Sequence, residues 1–493
     1  MSDSNQSSYR SIFKATTLFG SVQIFQIIIQ LIKSKFIAVL LGPAGVGIIG
    51  LYQSGIQLVQ NITNMGLASS AVRDVSEAFG LKDFHRINQV IIIVRRLVWG
   101  TGLLGMIALA VFSPLLSKAS FGNYDYTIPF IILSVTLLLD QICAGQKVIL
   151  QGLRRLKELA KCSVIGSIFG LLVSVPLYYW LGVNGIVPTL ILNSVCALVV
   201  SWMYSRRIPV QKVELSPKET FKQGSLMLVM GISMSLSGIF STAASYVIRA
   251  YIQHVNGVEE VGLFQAGFMI MTTYVGLVFN AISTDYYPRL AAVNKDNSKC
   301  KKIINQQGEM ATLILVPMLS ICLVFMPVIL KILYSNDFLG ANDYISWACL
   351  GMYLRLAAWV ISFSFVAKAE SKLFILNEAL ACFYYIVFSL VGYCLGGLTG
   401  VGIAFAVNYL VYFIQVYLIA RKRYDFRFSA NFIKTYFSQL IVLLLCLAIV
   451  LNLNGWQKYS FGVLIIILCT SYCLFLLNKK IDLIGVIRSK IYK

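Results

Sequence analysis

Charge is scarce in this chain, and negative charge is scarcer still. Asp, Glu, Lys and Arg make up 12% of the 493 residues, with 20 acids against 41 bases, where a soluble domain carries about 25% charge. That balance does not fit one aqueous core. No connection between apolar runs exceeds about 18 residues, which leaves no room for a soluble catalytic domain or for an outer loop with the paired acids that sugar transfer uses. A membrane polymerase or ligase is disfavoured on that ground. No Gly-Lys dipeptide occurs, so there is no Walker loop to cradle nucleotide phosphates and no ATP hydrolysis by this chain. The two histidines, His85 and His254, fall in or beside loops and suggest no metal site, and no pore-loop filter of a channel shows. The expectation is a protein without enzymatic activity, metal or cofactor.

What is abundant is hydrocarbon. Hydrophobic residues make up 58% of the chain, and apolar runs of about 20 residues recur, the length a helix needs to cross a membrane. The reading is an all-α polytopic membrane protein of about fourteen transmembrane helices. Six spans are expected near 11–40, 45–72, 90–113, 127–150, 159–181 and 186–205, and six more near 223–252, 261–288, 304–332, 344–367, 373–394 and 400–420. Two others follow near 434–452 and 459–477. Residues Met1 to Arg10 are polar and Ser-rich, without the layout of a cleaved signal, and are expected to stay in the cytoplasm. The eleven cysteines sit singly in apolar helices, or one turn apart as Cys469 and Cys473. They read as small hydrophobes rather than metal ligands or disulfides.

Lys and Arg gather in alternate connections, which is how membrane proteins record their orientation. Arg154, Arg155, Lys157 and Lys161 share one connection, Lys295, Lys299, Lys301 and Lys302 another, and Arg421, Lys422, Arg423 and Arg427 a third. Lys82, Lys212, Arg488, Lys490 and Lys493 lie on the same side, while the opposite connections offer Lys118, Lys331 and Lys458. Both termini are therefore expected in the cytoplasm, and the formal charge of +21 is a topology signal, not a nucleic-acid footprint.

The spans also repeat. Val46-Gly47-Ile48 opens the second and Val261-Gly262-Leu263 the eighth, an offset of 262 − 47 = 215; Lys157 and Lys372 differ by 215 as well; Gly185-Ile186 and Gly402-Ile403 differ by 217. This suggests two six-helix bundles related by a parallel repeat, residues 1–210 and 211–424, followed by two additional helices and a cytoplasmic tail in 425–493. Facing halves with a site between them are a common transporter plan.

Span one carries Gln23, Gln26, Gln30 and Lys33, spaced 3, 4 and 3, on one helical face. Span two repeats the pattern with Gln53, Gln57, Gln60 and Asn64. Facing lipid, these groups would cost several kcal/mol together, so they must point into protein or a wet cavity. Gly42-Pro43 supplies the sharp turn between them. Span seven is rich in small hydroxylated residues, among them Ser233, Ser235, Ser237, Ser241 and Thr242, before Arg249; span eight carries Gln265, Thr272, Thr273, Asn280, Thr284 and Asp285. Ordinary membrane-helix packing uses the same small residues. Ionisable groups at depth are Asp140 and Lys147, seven apart on one face of span four, Arg355 in mid-span ten, and Glu378 in span eleven. Asp140 and Lys147 either balance each other or serve the site, and Lys33 and Lys35 either snorkel or serve it. Cations at depth point to an anionic, phosphate-bearing or carboxylate-bearing cargo. Without ATP, an ion gradient or consumption of the product must drive transport.

The run Lys35-Phe-Ile-Ala-Val-Leu-Leu-Gly42-Pro43-Ala-Gly45-Val-Gly47, followed by a polar second helix, resembles the start of Wzx-type O-antigen and polysaccharide translocases. These form the polysaccharide-transporter branch of the multidrug/oligosaccharidyl-lipid/polysaccharide exporter superfamily. Asp285-Tyr-Tyr-Pro288-Arg-Leu is similar to an aromatic-Pro segment those proteins carry at the end of span eight. The resemblance implies a flippase in the bacterial cell inner membrane that moves an undecaprenyl-diphosphate-linked oligosaccharide, the O-antigen-type repeat unit of lipopolysaccharide, to the outer face by alternating access. It also implies that basic residues near the cavity matter, and Lys35 matches such a position most directly. A proton or sodium ion as coupling ion, and polysaccharide polymerase or chain-length proteins, are the further partners it suggests. Two helices beyond twelve also occur in lipid II flippases, so the cargo stays open. An ion-coupled multidrug antiporter of the same fold is the other alternative, and such a pump should line its cavity with acids.

Overall fold

The computed structural model describes residues 3–481 apart from 82, 210, 212–214, 292 and 369. The side chains of Gln23, Ser233, Ser237, Asn280, Thr284, Asp285 and Pro288, the residues Lys82, Lys212, Arg488, Lys490 and Lys493, and the end of the expected tail lie outside the described residues. The regular elements among the described residues are helices, with no strand: α1 Asp3–Thr63, α2 Leu67–Gly80, α3 Phe84–Phe121, α4 Thr127–Gly152, α5 Leu156–Leu181, α6 Ile186–Ser205, α7 Pro217–Asn256, α8 Val258–Met269, α9 Gly276–Ala291, α10 Asn297–Leu333, α11 Asn342–Ala367, α12 Ser371–Tyr424, α13 Ala430–Asn452 and α14 Gly455–Ile481. A wide helical turn, Ile270–Val275, joins α8 to α9.

Ten helical stretches among the described residues are long and apolar enough to cross a membrane. The expected sharp turn is present: α1 breaks at Gly42, with φ 64° and ψ −171°. Such a dihedral pair is open essentially to glycine alone. Span two then ends at Thr63 rather than near 72, because Gly66 turns left-handed (φ 62°, ψ 18°) and starts the separate helix α2. The polar run stops there since Asn64 turns its Oδ1 onto the Gly66 N–H at 2.9 Å.

The backbone repeats at one offset. Gly257 has φ 85° and ψ −177°, the conformation of Gly42, and 257 − 42 = 215. Gly182 (φ 54°, ψ −132°) and Gly397 (φ 55°, ψ −140°) form a second pair, and 397 − 182 = 215. The same offset pairs Gly185 with Gly400 rather than with the expected Gly402. Contacts agree: a Cβ on Gly185 would strike the Leu177 carbonyl and one on Gly400 the Gly392 carbonyl, and 392 − 177 = 215.

Contacts divide the chain into two compact units, Met1–Gly262 and Leu263–Lys493. In the first, α7 packs against α1, α2 and α3, although the repeat placed it at the head of the second bundle. A Ser216–Glu219 capping box starts α7, satisfying two orphan N–H groups reciprocally. The Gly66 and Gly231 backbones touch closely, and Asn61 donates to Thr242 at 2.8 Å. At the Gly42 end of this unit, Gly47 lies against the Val258 carbonyl and Gly262 against the Pro43 carbonyl. Since 43 + 215 = 258 and 47 + 215 = 262, this contact is reciprocal between repeat-related residues.

In the second unit α11 lies in the interior, with Tyr344, Ile345, Ala348, Met352, Tyr353 and Leu356 along it buried. Tyr286 donates to the Val360 carbonyl at 2.5 Å and Tyr353 to the Tyr436 carbonyl at 2.6 Å, so each buried phenol finds an acceptor. Apolar residues face outward along other helices, such as Ile107, Val111 and Leu115 on α3. With hydrocarbon as the solvent, that exposure is satisfied.

Candidate functional site

The first unit holds a 430 Å³ cavity whose walls come from α1, α4, α5 and α6. The 3.6-residue period brings Gln26, Gln30 and Lys33 onto the α1 wall. Lys147 enters from α4, Ser163 and Ser167 from α5, and Asn193 from α6. Gly166 faces open space, and with Gly170 it leaves the α5 wall without side chains where the cavity needs room. Asn193 is held by Ser174, whose hydroxyl accepts from its Nδ2 at 3.3 Å while donating to the Gly170 carbonyl at 2.5 Å.

Two ammonium groups thus share a chamber with three amides and two hydroxyls, and no acid is among the described lining residues. Ammonium groups donate strongly to phosphate or carboxylate oxygens, roughly twice as strongly as neutral donors. Asp140, on the face of α4 that also carries Lys147, is not among the lining residues of this cavity.

Lys33 and Lys35 part company here. Residues two apart on a helix do not share a face, and Lys35 is not among the lining residues while Lys33 is. Lys33 also lies nine residues from the Gly42 turn, about 14 Å along the helix, and it lines the cavity. Gln53 and Gln60 are half-buried and Gln57 is exposed; none of them, nor Asn64, lines this cavity. Asn61, one residue from the Gln60 stripe, makes the Thr242 bond instead.

Arg249 is 5% exposed in α7, and its guanidinium donates to the carbonyl and hydroxyl of Ser245 one turn earlier. It too stands outside the cavity lining. Arg355 belongs to the second unit. Its guanidinium carbon lies 5.3 Å from the Phe279 ring centre and 5.5 Å from that of Tyr409, a double cation–π contact that offsets part of the cost of a desolvated cation. Beside Tyr409, Tyr412 donates to Glu378 at 2.6 Å and accepts from Asn377 at 3.2 Å, and Gln415 donates to Asn377. The site residues that sequence reasoning missed are Asn193, Ser163 and Ser167. Ser163 and Ser167 stand four apart on one face of α5 and Asn193 stands beside Ser194 on α6, so a short polar spacing was there to be read, but which helices bring it against α1 was not.

The chain matches the polysaccharide biosynthesis protein family over residues 36–343 and the lipid II flippase MurJ family over residues 260–470. It is 22% identical over 421 residues to the lipid III flippase of Escherichia coli (strain K12), covering 84% of this chain and 100% of that protein. It is 24% identical over 348 residues to a Shigella flexneri protein named for O-antigen transport, covering 69% of this chain and 80% of that one. An inward-facing multidrug resistance MATE family transporter of the MOP superfamily superposes with a TM-score of 0.70 at 15% identity, over 83% of this chain and 98% of that one. The MurJ match runs through α13 into α14, the two helices beyond the repeat. With its apolar helices, repeat and superposable fold, this chain is a multi-pass membrane protein that belongs to the polysaccharide biosynthesis protein family and has the fold of the MOP transporters.

Proposed function

We propose that this chain is a flippase for a lipid-linked glycan, carrying an undecaprenyl-diphosphate-linked oligosaccharide of O-antigen type across the bacterial inner membrane by alternating access. The observation that carries this reading is the cavity in which Lys33 and Lys147 meet Gln26, Gln30 and Asn193 with no acid in its lining. Ammonium groups suit the diphosphate, and amides and hydroxyls suit sugar hydroxyls. The prenyl tail stays in the bilayer, where burial is favourable without help from the protein. The family match and the two relatives support the same cargo class. A multidrug antiporter for organic cations is disfavoured by the two lysines. A flippase for another polyprenyl-linked glycan such as lipid II has the MurJ match in its favour. A proton or sodium gradient supplies about 2.3 kcal/mol per charge per 100 mV, or polymerisation of the product draws the flux outward.

The test is the sidedness of lipid-linked repeat units in cells with and without this chain, read by a sugar label that cannot cross the membrane. Units accumulate unlabelled when the chain is missing and become labelled when it is restored. Units that become labelled regardless, yet remain unpolymerised, would place the chain after translocation and overturn the proposal.

A further inference from the structure

A second and larger recess, 820 Å³, lies in the first unit among α3, α4 and α6. Its volume is in the range of sites that take small molecules. Its walls are mostly aliphatic, with Leu138, Leu139, Ile142 and Ile149 from α4 and Leu198 and Val199 from α6; the one amide on the α4 wall, Gln146, accepts from the Ser201 hydroxyl at 2.5 Å. Trp99 and Trp202, 52% and 50% exposed, stand with Arg95 and Arg206 near the end where α6 stops at Ser205. The Arg206 guanidinium carbon lies 4.6 Å from the Trp202 ring centre, which fixes that cation at the mouth. No acid is among the described lining residues.

Indoles and arginines at one end and hydrocarbon below them form the profile of a membrane interface. We propose that this groove binds one anionic glycerophospholipid of the bilayer, with its headgroup phosphate between Arg95 and Arg206 and one acyl chain along the α4 wall. Charge selects the headgroup: two guanidiniums, with no acid among the described lining residues, favour a net-negative lipid over a zwitterionic one. Depth selects the tail. From Leu138 to Ile149 is eleven residues, about 16 Å of helix, roughly half of the ~30 Å hydrocarbon layer. That length suits a chain confined to one leaflet, and a long polyprenyl chain would outrun it. The site is separate from the cavity that holds Lys33, since the two share no lining residue.

The test reconstitutes the full chain in phosphatidylcholine vesicles containing a minor fraction of brominated phosphatidylglycerol or, in parallel, brominated phosphatidylcholine, and reads tryptophan quenching. Two cations at about 1 kcal/mol each correspond to about a 25-fold preference for phosphatidylglycerol at the groove. The wild type is therefore quenched more by the anionic lipid, R95Q/R206Q loses that excess, and W99F/W202F, which removes the local reporters, loses it too. Unchanged helicity of the variants establishes that the loss is local. Equal quenching by the two lipids in the wild type, or an excess that survives R95Q/R206Q, overturns the site. Relief of the excess by undecaprenyl diphosphate at equimolar amounts would assign the groove to the carrier lipid and overturn the phospholipid. None of these outcomes depends on flipping, so they stand apart from the sidedness test.

Discussion

Replacing Lys33 and Lys147 together by Gln abolishes measurable glycan flipping, while each single replacement slows it roughly 10- to 100-fold. The magnitude follows from the hydrogen bond of a charged group, about 1.5–3 kcal/mol, removed where these side chains line the cavity. Gln keeps the approximate length and a donor but no charge, so the fold is retained. Lys33→Arg retains part of the rate, because the charge stays while its geometry changes. Lys35→Gln, outside the cavity lining, stays within about threefold of wild type. Initial rates of labelled glycolipid transport, normalised to protein in the membrane, check the set. A double variant at the wild-type rate would remove the cavity from the mechanism.

Gly262→Val and Gly47→Val each stop transport without unfolding the chain. A Cβ at either position would penetrate a backbone carbonyl, that of Pro43 or of Val258, and neither carbonyl sits on a flexible side chain that could swing aside. If the proposed alternating-access cycle passes through the state in which these turns meet, a branched side chain at either position blocks that step. The reciprocity of the contact means the two substitutions should act alike. Gly238→Ala serves as the comparison, since a Cβ there meets nothing within 4 Å; it keeps transport within about twofold of wild type. Transport rate and thermal unfolding measured together separate a blocked cycle from a collapsed fold. Wild-type transport by Gly262→Val would mean that this contact plays no part in turnover.

The sequence was most legible where periodicity or backbone chemistry acts locally. The Gln26, Gln30, Lys33 spacing places one wall of the cavity, and Gly42-Pro43 places the turn, because both follow from a few neighbouring residues. The offset of 215 was legible from Gly47 and Gly262, and the paired conformations of Gly42 and Gly257 carry it into the backbone. Lys35 was grouped with Lys33 because both are cations in one run, although a two-residue step turns them to different faces. Asn64 continued the polar spacing of span two, but the left-handed Gly66 ends that helix first. Asn193 and the α5 serines depend on which helices pack against α1, and the packing of α7 with the first unit depends on long-range contact. Which helices meet leaves no local trace in the chain, even where a spacing such as that of Ser163 and Ser167 marks a polar face. Arg355 read as a costly buried cation, and the rings of Phe279 and Tyr409 that make it tolerable come from α9 and α12, far away in sequence.

On the proposed function, the Lys33 cavity receives the sugar-diphosphate head of the cargo. A photoreactive residue in place of Gln30, inside the cavity, tests it most directly, with one in place of Val39, 59% exposed on α1, as the lipid-facing comparison. Illumination in cells making lipid-linked glycan is expected to give a glycan-bearing adduct at position 30 that K33Q/K147Q abolishes, and none at position 39. No adduct at position 30 above that at position 39, in a protein that still transports, would contradict it.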